Sequence, residues 1–271
     1  LDWREGWRVV ADKQTGLARA EALPAPRCPF CGGVGRREVE LNGVLRVGKC
    51  RCQRVPDRVA LFNAAGVPAR HADCTLESFR TDGPGLSDAR PVKTLTQRWL
   101  ERFVPGGENR GLVIEGQPGR GKSHLLCAVV RELVFRHGVA VRFVEFTHLL
   151  SRLREGMDRN DGDATTLTPL VQVPVLAIDE LGKGRKTDWE LAIIDEIVTR
   201  RYNSGGVLLA TTNFPHKTTA RARALPATLA TGVVESLEDR LGERVFSRMR
   251  ETVDFCEAGG ADYRQRSPLE R

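Results

Sequence analysis

The stretch Gly116-Gln117-Pro118-Gly119-Arg120-Gly121-Lys122-Ser123 carries the densest chemistry in the chain. Its spacing is G-x-x-x-x-G-K-S, a glycine-rich turn closed by an ammonium and a hydroxyl. Gly119 and Gly121 let the backbone curl so that its N–H groups point inward, a cradle for phosphate oxygens. Lys122 can reach the β- and γ-phosphates as a compact charge, and Ser123 can offer its hydroxyl to Mg²⁺. A helix beginning at the loop adds positive potential where the phosphates would lie. The expected ligand is ATP with Mg²⁺, held by residues 116–123 together with His124, the next residue of that helix. The G-x-G-x-x-G pattern of a dinucleotide fold does not occur.

A second group of residues suits hydrolysis. Val175-Leu176-Ala177-Ile178 leads into Asp179-Glu180, two carboxylates at the end of an apolar run. Carboxylates at the end of a buried strand are costly unless something uses them. Asp179 would hold Mg²⁺ and Glu180 would orient or deprotonate the attacking water; otherwise Glu180 is a solvated strand-to-loop residue. Asn213 follows the apolar run Leu208–Thr212. It places an amide near the γ-phosphate if that strand lies beside the acidic one, and otherwise forms a turn before Phe214-Pro215. Arg240, Arg244 and Arg248 recur every four residues, so they share one helix face. Such a face suits either transition-state charge on a neighbour's phosphate or ion pairs with Glu238, Asp239 and Glu243.

The third group is Cys28-Pro29-Phe30-Cys31 and Cys50-Arg51-Cys52, with 18 residues between the pairs. Four thiolates suit tetrahedral Zn²⁺ in a closed structural site, with Cys28, Cys31, Cys50 and Cys52 as ligands. His71 or Cys74 could replace one of them, or the site could hold no metal. Such a short segment has little core of its own, so a metal would supply its folding energy.

The elements that must position these groups alternate between strand and helix. Leu112–Ile114, Val141–Phe146, Val175–Ile178, Val207–Thr212 and Thr252–Phe255 read as strands. Helices are expected over residues 122–137, from a Thr147 cap through Leu153, along the Trp189–Val198 stripe, and over 236–250. Residues 92–103 also have helical spacing, and 57–73 read as a short helix and a turn. Residues 157–172 read as a polar loop. Alternation of this kind implies an α/β fold, a parallel sheet covered on both faces. The expected division is a four-cysteine module over 1–56, approach helices over 57–110 and an ATP-binding domain over 111–271. Cys127 and Cys256 read as core.

The net charge of +7 over 271 residues favours a polyanionic partner such as nucleic acid. No apolar run approaches the ~20 residues of a membrane helix. No apolar core follows the first charged residues as in a secretory signal. A cytoplasmic location is therefore expected, in which a disulfide framework is disfavoured.

The chain resembles the AAA+ helicase loaders of the DnaC/DnaI type and their relatives, the IstB transposition helper ATPases. The residues carrying the likeness are Cys74–Phe79, the phosphate loop, Asp179-Glu180-Leu181-Gly182, Thr211-Thr212-Asn213 and Leu241–Arg250. The resemblance implies a P-loop AAA+ three-layer sandwich preceded here by a small zinc-binding module. It makes Asn213 the first sensor, Arg248 the arginine finger with Arg244 beside it, and Arg264 the second sensor arginine. It further implies a homo-oligomer with ATP at subunit junctions, single-stranded DNA as ligand and a DnaB-type replicative helicase as partner. The transposition helper is the alternative, and a nucleotide-ordered DNA-binding adaptor with little hydrolysis is a third.

Overall fold

In the computed structural model, residues 4–24, 27–41, 43–82, 85–157, 167–216 and 235–263 are described. Two antiparallel hairpins open the chain: β1 (Trp7–Asp12) with β2 (Leu17–Ala22), and β3 (Arg36–Leu41) with β4 (Val44–Lys49). Helices α1 (Arg54–Ala65) and α2 (Arg90–Arg102) follow. The remainder alternates: β5 (Gly111–Glu115), α3 (Lys122–Phe135), β6 (Val141–Glu145), α4 (Phe146–Met157), α5 (Thr168–Gln172), β7 (Val175–Asp179), α6 (Asp188–Ser204), β8 (Val207–Thr212), α7 (Leu237–Leu241), α8 (Glu243–Thr252) and β9 (Val253–Glu257).

The five later strands form one parallel sheet in the order β6-β7-β8-β5-β9. Alternate residues of each strand feed opposite faces, as the pleat requires. Leu112, Ile114, Val175 and Ala177 pack under α1, α2 and α3. Val113, Leu176, Ile178 and Leu208 pack under α4, α6, α7 and α8. The result is the expected α/β sandwich of three layers. Its strand ends are sealed by Arg201, almost fully buried, whose guanidinium donates to the carbonyls of Leu170, Val171, Val173, Pro174 and Val207. Burial pushes its pKa down to about 10, so it stays charged at neutral pH. Among the described residues no helix is long and apolar enough to cross a membrane.

Four expectations are corrected. The second strand of the sheet ends at Glu145, and Thr147 lies inside α4, donating to the Glu145 carboxylate. Residues 168–172 are helical, because Leu170 and Val171 bury against the α6 side of the core. The last strand runs Val253–Glu257. The expected helix over 236–250 is two helices, broken at Gly242, whose φ of 85° and ψ of 150° end α7 and redirect the chain into α8.

Candidate functional site: a phosphate pocket and a four-cysteine knuckle

The C-terminal ends of β5, β7 and β8 open into one cavity of about 730 Å³. Its walls include Pro118–His124, Glu180, Lys183, Thr211 and Asn213. This is the crevice where open parallel sheets bind ligands. The loop 116–121 leaves β5 and hands over to α3 at Gly121, which has φ 75°. A Cβ there would lie 2.6 Å from the Phe79 ring, so both the backbone angle and the packing require glycine. Lys122 Nζ donates to the carbonyls of Gly116 (2.8 Å) and Gln117 (2.9 Å), which keeps the ammonium over the loop. Arg120 donates to the Ala258 carbonyl, and Tyr263 N–H to the Gly119 carbonyl, so the segment after β9 packs along the loop.

Ser123 and Asp179 meet. Ser123 Oγ donates to Asp179 Oδ1 at 2.8 Å, and Thr211 Oγ1 donates to the same oxygen at 2.5 Å. The Asp179 side chain is buried at the end of β7. A hydroxyl and a carboxylate converging beside a phosphate loop are donors of the kind that could hold Mg²⁺. Glu180 follows in a left-handed conformation (φ 57°), its N–H held by Thr211 Oγ1 at 2.9 Å. Pairing of β7 with β8 therefore puts Asn213 and Glu180 on the same cavity wall. His124 lines the cavity, but its Nε2 lies 2.9 Å from the Thr75 carbonyl. A carbonyl only accepts, so Nε2 carries the hydrogen, and burial lowers the ring's pKa. His124 thus braces the segment before the core from the cavity wall.

Arg244 and Arg248 are not part of this wall. Both turn toward Asp195 on α6, with Nε and Nη1 at 3.6 and 4.0 Å from its Oδ1. Arg240, parted from them at Gly242, points back to the carbonyls of Gly182 and Gly184. Arg264 lies outside the described residues. Sequence reasoning missed Thr211 as a ligand of Asp179, Phe79 as the wall of the loop, and Arg70, His71, Arg80 and Lys183 as lining. Thr211 had a sequence signal, a hydroxyl at the end of an apolar strand, and Phe79 closes the Cys74–Phe79 stretch that carries the resemblance.

The four cysteines also meet. The sulfurs of Cys28, Cys31, Cys50 and Cys52 all lie within 4.8 Å of one another. Cys28 and Cys50 are 3.8 Å apart, and Cys31 and Cys52 are 3.6 Å apart. A tetrahedron with Zn–S bonds of about 2.3 Å has sulfur–sulfur edges of about 3.8 Å, so the cluster fits such an ion. The Gly35 N–H donates to Cys31 Sγ at 3.2 Å and is the main cause that draws this thiol down to about 6. His71 and Cys74 pair with each other at 3.5 Å, on the wall of the phosphate cavity, so neither joins the cluster.

Loop, acidic strand end and strand order together define a P-loop nucleoside-triphosphate-binding domain of the AAA+ type. Residues 50–240 match the family described as IstB-like ATP binding protein, and the chain belongs to that family. Over 191 residues it is 29% identical to the replicative helicase loader DnaC of Escherichia coli K12, covering 70% of this chain and 68% of that one. It is 25% identical over 215 residues to the uncharacterized protein YdaV of the same strain, covering 76% and 75%. The crystal structure of the DnaC helicase loader superposes with a TM-score of 0.58 at 27% identity, covering 70% of this chain and 98% of that one. The crystal structure of DnaI gives 0.52 at 21% identity, which bears on the fold alone.

Proposed function

We propose that this chain is an ATPase that loads a replicative DNA helicase onto single-stranded DNA. The observation that carries the proposal is the likeness to DnaC, which extends over 98% of that solved chain. In this account Gly116–Ser123 grip the triphosphate, and Lys122 neutralises its outer phosphates. Ser123 and Asp179 hold Mg²⁺, which when bound offsets charge between the phosphates. Glu180 takes the proton from the attacking water, and Asn213 orients that water. Arg248, with Arg244 beside it, reaches the nucleotide of the next copy in a homo-oligomer; its place on α8, away from its own cavity, suits action in trans. Zn²⁺ on the four cysteines keeps residues 27–53 folded for contact with the helicase. The chain divides into a four-cysteine module over 1–56, approach helices over 57–110 and an ATP-binding domain over 111–271, with β1–β2 of the first part packed on the main core. The site of action is the cytoplasm.

A second reading, a transposition helper, is favoured by the family match itself. One experiment separates the two. Glu180→Gln is expected to lower ATP turnover by about 10²–10⁴-fold, the range for losing a general base, while nucleotide affinity is kept. With ATP it should trap a complex that co-elutes with the replicative helicase of the same host. If ATP is bound and no helicase co-elutes in any nucleotide state, the loader reading fails and the helper stands.

A further inference from the structure

Past its two carboxylates, β7 enters the turn Leu181-Gly182-Lys183-Gly184. The Lys183 N–H donates to the Glu180 carbonyl at 3.0 Å, which folds the chain back on itself. Glu180 (φ 57°) and Gly182 (φ 84°) both take the left-handed angles this reversal needs. The reversal brings Lys183 Nζ to 2.5 Å from Glu180 Oε2. Both side chains line the phosphate cavity.

The Lys183 side chain is 55% exposed and that of Glu180 28%, but the turn that carries them is held on several sides. Arg240, with only 12% of its side chain exposed, donates from Nε (2.9 Å) and Nη2 (2.8 Å) to the Gly182 carbonyl, and from Nη2 to that of Gly184. Its guanidinium lies 4.9 Å from the centre of the Phe214 ring, the residue after Asn213. The Glu180 N–H is anchored on Thr211. The turn is therefore pinned from α7, from the end of β8 and from its own first residue. A long lysine side chain leaving such a turn loses less freedom on pairing than one on an open surface.

We infer that Lys183 is a positioning residue that restrains Glu180, so that the resting chain hydrolyses ATP below its capacity. The inference rests on the assignment of Glu180 as the base. A base must present a free carboxylate oxygen to the water whose proton it takes. Lys183 engages Oε2, which leaves Glu180 a single oxygen for that proton and ties the direction in which it points to the turn. The balance of the hydrolytic step is unchanged: water loses its proton to Glu180, and its oxygen attacks the terminal phosphorus. Lys183 affects how often Glu180 is available to accept that proton.

The test is steady-state ATP turnover of the full chain, as wild type, Lys183→Ala, Lys183→Arg, Glu180→Gln and the double substitution. Lys183→Ala should raise kcat by about two- to fivefold, the factor that a partly exposed ion pair is worth. KM should stay within a factor of about two, because the restraint acts on the reacting group. Lys183→Arg should remain near wild type, and the double variant should be as slow as Glu180→Gln. A residue that merely supported the turn would lower kcat when removed, so the sign of the change discriminates. Lys183→Gln provides a second neutral variant if the alanine lowers the melting temperature. A kcat at or below wild type in both neutral variants overturns the inference and leaves the base assignment intact. Wild-type turnover by Glu180→Gln removes the base assignment itself.

Discussion

Two hairpins of similar length open the chain, and they are held by different physics. In β1–β2 one face is buried: Ala18 and Ala20 enter the main core, and Trp7 stacks on Phe135 of α3 with ring centres 3.6 Å apart and planes 7° apart. Asn63 of α1 both donates to and accepts from the backbone of Ala20, at 3.0 and 2.6 Å. In β3–β4 the aliphatic residues of the second strand face water: Val44 is 53% exposed, Leu45 70% and Val47 70%. A lone two-stranded hairpin without a covered face is marginal in water. The ends of this one are tied instead by the cysteines, since Cys31 precedes β3, Cys50 follows β4, and the Cys50 N–H donates to the Gly35 carbonyl. Apolar packing fixes the first hairpin, and the second depends on its thiols.

The largest expected effect exploits that dependence. Structural zinc in small thiolate sites contributes an apparent binding energy of about 10–16 kcal/mol, most of it spent on folding the segment. Stripping metal with a strong chelator, or replacing Cys31 by Ser, should remove amide protection from residues 36–49. Protection should remain over 7–22 and over the central strands β5, β7 and β8. Hydrogen exchange read segment by segment checks this. Protection of 36–49 that survives complete metal removal would mean that another force holds the second hairpin, and the contrast would dissolve.

The reciprocal break is Trp7→Ala. The ring is half-buried, stacked on Phe135 and covered by the Arg131 guanidinium at 4.8 Å from its centre. Its removal should cost about 2 kcal/mol, less than a fully buried aromatic because part of the ring already meets water. Urea unfolding would read the loss, and metal content should be unchanged. Loss of zinc on this substitution would show that the hairpins fold as one unit.

What the sequence made legible follows the same division of forces. The phosphate loop, Asp179-Glu180 and the strands around them were readable because local spacing and continuous apolar runs specify them. The cysteine cluster was readable because its ligands come in two close pairs. The first hairpin went unread: the side chains it buries most deeply are Ala18 and Ala20, too small to register as a hydrophobic stripe, and Trp7 and Val9 beside them are only half-buried. The arginine helix was misread because a four-residue repeat assumes continuous α geometry, and Gly242 breaks it. Phe79 and Lys183 owe their places to contacts with Gly121 and Glu180 that only the folded chain creates. Side chains whose role is set by a distant backbone leave no periodic trace.

The smallest expected effect lies where the first hairpin touches the phosphate pocket. The turn of β1–β2 contacts the short helical turn Ala69–His71: the Ala69 N–H donates to the Gly16 carbonyl, and Leu17 bridges to Pro68. His71 in that turn lines the cavity, and burial, helped by the adjacent Arg70 charge and opposed by Asp179, pulls its pKa down to about 4. The unfolded chain takes up this proton near the ordinary 6.5, and the folded chain only near 4. Between those values the unfolded state binds more protons, so stability falls as pH falls, by at most about 1.4 kcal/mol per pH unit for one group. Below the folded value both states are protonated and the loss stops growing. His71→Gln should therefore flatten the dependence of the urea midpoint on pH between 7 and 4.5. His124 and His137, also lowered by burial, keep contributing to both proteins, so the difference between the two curves isolates His71. In hydrogen exchange the gain at low pH should appear over 17–22 and not over 36–49, because only the first hairpin rests on this turn. Parallel curves for the variant and the wild type would remove His71 as the link between that hairpin and the pocket.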